Sequence, residues 1–187
     1  MKFFSLIWII AIVGTMSGEV QLKPPGADGK LKVVIIRHGE KPTDGDNLCP
    51  KGLDRANKLD PVLLKIAGVP DYTYIPEVNT GKTTRSVRML QTITPFAVAH
   101  NLTLNSSFKN DQIKEIAADI MKKEGVVLVV WEHSSIPDLA NELGVKGKLK
   151  WKDEDYDSIW ILEFKGKKFN PEMTIEHQKI NPRGNCG

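Results

Sequence analysis

Lys32-Val-Val-Ile-Ile-Arg-His-Gly-Glu-Lys-Pro42 is the stretch on which the reading of this chain turns. Its Val and Ile run is too short for an ordinary helix and is followed by Gly and Pro, the pattern of a strand buried on both faces. Such a strand delivers Arg37 and His38 to its carboxyl end, and the Gly behind them lets the chain turn sharply. In open α/β sheets ligands bind in the crevice beyond the strand ends. What matters next is which other residues arrive there.

Downstream, Glu40 to Cys49 reads as a polar loop, and Pro50 suits the first turn of a helix carrying Leu53, Ala56 and Leu59 on one stripe up to Pro61. A second helical piece, Val62 to Ile66, continues to Gly68. Tyr72 to Ile75 is a short strand, Asn79-Thr-Gly81 a turn, and a long helical pattern from near Thr83 carries Val87, Leu90, Ile93 and Phe96. Pro95 is expected to kink that helix or stop a turn of it. A short strand at Leu102 to Leu104 and an amphipathic helix through Ile113, Ile116, Ala117 and Ile120 follow. Val126 to Trp131 is the second strongly apolar strand, and it runs into Glu132-His133. A short helix from Pro137 to Leu143 precedes two final strands, Ser158 to Phe164 and Met173 to His177. Strands alternating with helices predict an α/β domain with a mainly parallel sheet, and the last two strands predict an antiparallel edge hairpin.

At the N-terminus, Lys2, the apolar run Phe3 to Val13 and the small residues to Gly18 predict a cleaved secretory signal peptide over 1–18. The run is shorter than the roughly 20 apolar residues that span a bilayer, so an uncleaved anchor is the weaker alternative. Residues 19–187 then form one domain, preceded by an extended arm through Pro24-Pro25-Gly26. A secreted or periplasmic location follows, with no membrane contact once the signal is gone. Outside the cytoplasm the two cysteines, Cys49 and Cys186, can pair and tie the C-terminal tail to the loop after the first strand. With 26 Lys and Arg against 23 Asp and Glu, the charge is too even for a nucleic-acid binder, so anion affinity must come from a local site.

Of four histidines, His38 and His133 stand at the ends of the two most apolar strands. Parallel strands end on one side of a sheet, so these two can converge. Arg37 keeps its proton where a buried strand ends and therefore needs an anion, from the protein or from a ligand. Arg88, on the helix after Tyr72 to Ile75, starts at the same edge. Two Arg and two His make a site for a phosphoryl group, a multiply charged anion. No pair of His, Cys or carboxylates has the spacing of a metal site such as HExxH or CxxC, so neither metal nor cofactor is expected. Gly81-Lys82-Thr83 resembles the end of a P-loop but lacks the Gly that such a loop needs, with Pro76 in its place. Lys82 is left as a substrate contact at most.

Arg37-His38-Gly39-Glu40, Leu48-Cys-Pro-Lys-Gly52-Leu-Asp-Arg55-Ala56, Arg88-Met-Leu-Gln91-Thr92 and an apolar strand ending in His133 come in this order. Together they resemble the histidine phosphatase superfamily in its phosphoglycerate-mutase-like branch. The resemblance implies a three-layer sandwich with helices on both faces of the sheet, a nucleophilic His38 that becomes phosphohistidine, and a phosphoryl group held by Arg37, Arg88 and His133. It implies no metal, and a small phosphorylated substrate. The branch commonly takes its acid, a Glu, from a loop where this chain has Ser106-Ser-Phe-Lys-Asn-Asp111. Asp111 and Glu132 are the candidates for that role. The expected activity is phosphomonoester hydrolysis. A mutase of the same fold and a phosphate-binding module without the acid are the alternatives, and a secreted location with short insertions between motifs favours hydrolysis.

Overall fold

The computed structural model describes residues 30–78, 86–165 and 170–187. The expected signal peptide, the arm before Lys30, the Asn79-Thr-Gly81 turn, Lys82, the helix start near Thr83 and the tip of the final hairpin lie outside them. The order is β1 (Leu31–Arg37), α1 (Pro50–Lys58), α2 (Asp60–Ala67), β2 (Tyr72–Pro76), α3 (Val87–Ala99), β3 (Leu104–Phe108), α4 (Ile113–Ile120), β4 (Gly125–Trp131), α5 (Ile136–Glu142), β5 (Ser158–Phe164) and β6 (Glu172–His177). These strands make one sheet in the order β3-β2-β4-β1-β5-β6. Its β1–β4, β2–β4 and β2–β3 pairs are parallel, whereas β1–β5 and β5–β6 are antiparallel.

Alternation along the central strands explains the layers. Val33 and Ile35 of β1, with Val127 and Val129 of β4, pack against Ile116 and Ile120 of α4 and Leu139 of α5. Val34, Ile36, Leu128 and Val130 face the other way, against Leu63 of α2 and Ile93 and Phe96 of α3. Side chains on successive strand residues point to opposite faces, so both faces of these strands must be apolar and covered. Val33 to Ile36 have no exposed surface at all, and burying each contributes roughly 2 kcal/mol. The three-layer α/β sandwich expected from the sequence is the observed architecture.

Three local expectations need correction. Leu53 does not join the buried stripe of the first helix; it is 51% exposed, because α1 turns Gly52, Arg55 and Ala56 inward instead. Pro95 does not end α3. Its missing N–H removes one helix bond, but burial of Ile93, Phe96 and Ala97 around it carries the helix to Ala99. The third strand lies at Leu104–Phe108 rather than Leu102 to Leu104. Pairing with β2 draws this Asn/Ser run into the sheet edge despite its poor strand propensity.

The expected cysteine pair is present: Cys49 and Cys186, 137 residues apart, are disulfide-bonded. A second tie lies beside it, where the backbone of Gly39 crosses that of Gly52. A β-carbon on Gly52 would overlap the backbone oxygen of Glu40, and one on Gly39 would come within 2.8 Å of the Gly52 oxygen. Gly52→Ala is therefore expected to lower stability by about 3 kcal/mol, read as the urea midpoint, because backbone rather than a movable side chain must give way.

Candidate active site

Continuing the alternation of β1 puts Arg37 on the α4/α5 side of the sheet and His38 on the α3 side. The turn after them is pinned to α3, since the Gly39 N–H donates to Thr92 Oγ1 at 2.9 Å and that hydroxyl donates to the Arg88 carbonyl at 2.8 Å. His38, 1% exposed, places Nδ1 at 2.7 Å from the Gly39 carbonyl. A carbonyl only accepts, so Nδ1 carries the ring proton and Nε2 keeps the lone pair.

Arg37 is 2% exposed and is held by backbone. Its Nη1 donates to the carbonyls of Asp153 at 2.6 Å and Asp155 at 3.2 Å, with that of Lys152 at 3.5 Å. The Tyr156 ring lies 3.9 Å from its guanidinium carbon. Nη2 is 3.1 Å from His133 Nδ1, and a guanidinium has no lone pair to offer. His133 Nδ1 is therefore the acceptor and Nε2 carries the proton, which faces Asp153 Oδ1 at 3.2 Å. Arg37 Nε is buried with no hydrogen-bond partner among the described residues.

Arg88 reaches the site along the loop after β1. Its Nε donates to the Asp46 carbonyl at 3.0 Å and its Nη2 to that of Gly45 at 3.3 Å. The loop is also tied to α3 by Gln91, whose Oε1 accepts from the Leu48 N–H and whose amide donates to Asn47. Below it, Arg55 grips Glu40 through two bonds of 2.9 and 2.8 Å and donates to Gln178 at 3.0 Å. Burial alone raises the Glu40 carboxyl, but the Arg55 bonds outweigh it and hold it below the usual range.

Electrostatics then sets the state of the two imidazoles. Burial pushes His38 down to about 3; the Gly39 bond opposes this, and the charges of Arg37, Arg88 and His133 add to it. His133 is lowered by burial and then by Arg37, with Asp153 in partial opposition. At neutral pH both rings are uncharged, and the positive charge of the site rests on guanidinium groups.

No family model and no curated protein matches the chain by sequence. Solved structures do. The protein histidine phosphatase SixA, in its complex with tungstate, superposes with a TM-score of 0.60 at 15% identity, over 79% of this chain and 97% of that one. A candidate phosphohistidine phosphatase SixA from Nakamurella multipartitia gives 0.53 at 17%, over 82% and 98%. The chain has the histidine phosphatase fold.

Within that fold, Arg37, His38 and His133 meet, with the His38 and His133 ring centres 6.5 Å apart. Arg88 joins them through its field on His38. Neither acid candidate is hydrogen-bonded to His38 or His133 among the described residues. Glu132 accepts from the Asn110 amide at 2.8 Å, and its carbonyl receives the first N–H groups of α5. Asp111 is exposed, its carbonyl accepts from the Ile113 N–H, and no hydrogen bond among the described residues joins its side chain to the site. Sequence reasoning missed Asp153 and Tyr156. The signal was present in the acidic run Asp153-Glu-Asp-Tyr-Asp157 just before β5. A strand antiparallel to β1 begins where β1 ends, so the loop leading into it must border the site.

The His38 shift has a stability consequence. In the unfolded chain this ring gains a proton below about pH 6.5, but in the fold it stays neutral to about 3. Between those values the unfolded chain binds the extra proton, so the contribution is full above 6.5 and falls as pH drops, by up to about 1.4 kcal/mol per pH unit. Denaturant titrations of His38→Asn are expected to show a shallower loss from pH 6.5 to 4 than the parent protein. Parallel curves would contradict the buried neutral ring.

Proposed function

We propose that the protein belongs to the histidine phosphatase superfamily and hydrolyses phosphomonoesters through a phosphohistidine on His38. The observation that carries this reading is the His38 ring itself: neutral, buried, its Nδ1–H fixed on the Gly39 carbonyl so that Nε2 keeps the lone pair, with the charges of Arg37 and Arg88 acting on the ring. A neighbour of the same fold holds tungstate, a tetrahedral oxyanion like phosphate.

In the first step Nε2 of His38 bonds to phosphorus as the P–O ester bond breaks. Positive charge then develops on the imidazole, and the Nδ1–H to carbonyl bond strengthens against it. Arg37 Nε, Arg88 and His133 Nε2–H offer donors to the phosphoryl oxygens, whose charge shifts in the transition state. In the second step water attacks phosphorus, the N–P bond breaks, its electron pair returns to Nε2, and inorganic phosphate leaves. Dividing one displacement into two easier ones is what a covalent nucleophile supplies. The Cys49–Cys186 bond supports work in an oxidising compartment, in keeping with a signal peptide over 1–18.

Rapid-quench labelling with a radioactive phosphomonoester tests this. An acid-labile, base-stable adduct is expected on the parent protein and none on His38→Asn. An acid-stable adduct, or equal labelling of both, would overturn the reading. Turnover by Arg88→Ala is expected to fall by roughly 10²-fold or more, the cost of one missing charge-stabilising donor.

A further inference from the structure

Resting on the phosphohistidine reading, the geometry points to Asp153 as the group that protonates the leaving oxygen and later deprotonates the attacking water. Besides Glu40, already held by Arg55, five carboxyl groups among the described residues lie on the segments that follow β4 and lead into β5: Glu132, Asp153, Glu154, Asp155 and Asp157. Three are committed elsewhere. Glu132 is held by Asn110. Asp155 accepts from the Asp157 and Ser158 N–H groups at 3.0 and 2.9 Å and from Ser158 Oγ, which closes its own loop. Asp157 accepts from the Lys179 N–H at 2.8 Å and pairs with His177 at 3.2 Å. Glu154 is exposed and touches neither imidazole. Among the carboxyl groups of the described residues, Asp153 is the one that reaches a ring of the site, His133 Nε2 at 3.2 Å, while 81% of its side chain faces solvent, where a leaving group must depart.

Its backbone is fixed, while its carboxylate meets only His133 among the described residues and is otherwise in solvent. The Asp153 carbonyl rests on the buried Arg37 at 2.6 Å, and the neighbouring Asp155 carbonyl takes both Arg37 Nη1 and the Trp151 indole N–H. A carboxyl group on a rigid loop with one movable side chain suits proton transfer to a departing atom. Substrate entry supplies the proton. A phosphoryl oxygen and the Asp153 carboxylate compete for the same His133 Nε2–H, and two anions so placed repel unless they share a proton. The ester that enters as its monoanion carries one proton on its phosphoryl group; that proton passes to the Asp153 carboxylate, which then stands protonated at the mouth.

The proton balance closes over one turnover. As His38 Nε2 bonds to phosphorus, the Asp153 carboxyl gives its proton to the leaving oxygen and an alcohol departs. When water attacks the phosphohistidine, its proton passes to the Asp153 carboxylate and the N–P bond breaks. The ester and one water become alcohol and phosphate, with Asp153 restored.

The test compares kcat/KM of the parent protein, Asp153→Asn and Asp153→Glu on two esters. Phenyl phosphate needs its leaving oxygen protonated; dinitrophenyl phosphate does not. Because kcat/KM reports only steps up to leaving-group departure, the later role of Asp153 as base does not intrude. Asp153→Asn is expected to lose roughly 10²-fold or more on phenyl phosphate and to change little on dinitrophenyl phosphate, with Asp153→Glu recovering part of the loss. Equal losses on both esters would make Asp153 only a positioning residue for His133, and no loss on either would remove it from the reaction. Either result overturns the proposal. A parent protein inactive on both esters would instead remove the phosphomonoesterase reading, and the proposal with it.

Discussion

A permanently charged guanidinium stands at the end of the most buried strand, and much of the site is a consequence of accommodating it. Arg37 has almost no contact with solvent. Burying such a group is costly unless its N–H groups find acceptors. Those acceptors are the backbone of residues 152–155 and His133 Nδ1, with the Tyr156 ring stacked above. Each solution does something else as well. The backbone bonds set the course of the loop that carries Asp153. The bond to Nδ1 fixes the tautomer of His133, so that its Nε2–H faces outward. The charge itself adds to the effect of burial in opposing protonation of His38.

The opposite wall is built from close backbone approach and covalent constraint. Gly39 and Gly52 let the turn after His38 cross α1 without a side chain between them. Glu40 and Arg55 form a buried two-bond pair beneath that crossing, and Gln178 completes it from the segment after β6. The C-terminal tail then runs along α1, where the Arg183 N–H donates to Asp54 and Lys58 donates to the Asn181 carbonyl, before Cys186 joins Cys49. The same loop carries the Gly45 and Asp46 carbonyls that hold Arg88. The second guanidinium is thus positioned by a loop tied at its end to the tail.

The central sheet and the meeting of Arg37, His38 and His133 were legible because they depend on local patterns. Two apolar runs too short for helices had to be strands, and parallel strands end together. The register of β1 on β4, with Arg37 opposite Trp131, brings that to the residue level. The paired cysteines were legible as a possibility, since two thiols in a chain expected to carry a secretory leader suggest a bond, but only the fold brings them together. Leu53 was misplaced because helical spacing does not say which stripe faces in, and here a Gly–Arg–Ala stripe was needed against the β1 loop. Asp153, proposed above as the acid, was out of reach of the sequence for a different reason. Glu132 and Asp111 are near His133 and the expected loop in sequence, whereas Asp153 reaches His133 only through the antiparallel β5, a long-range pairing that no local pattern encodes.

In the proposed reaction His38 meets phosphorus through Nε2, as a neutral ring whose Nδ1 proton is held by the Gly39 carbonyl. Proton–nitrogen correlation NMR on protein with isotope-labelled histidine reads this directly. The account predicts a protonated Nδ1 and an unprotonated Nε2 for His38 down to about pH 4, and phosphorus attached to Nε2 after reaction with a phosphomonoester. A proton on Nε2 at neutral pH, or phosphorus on Nδ1, would contradict it.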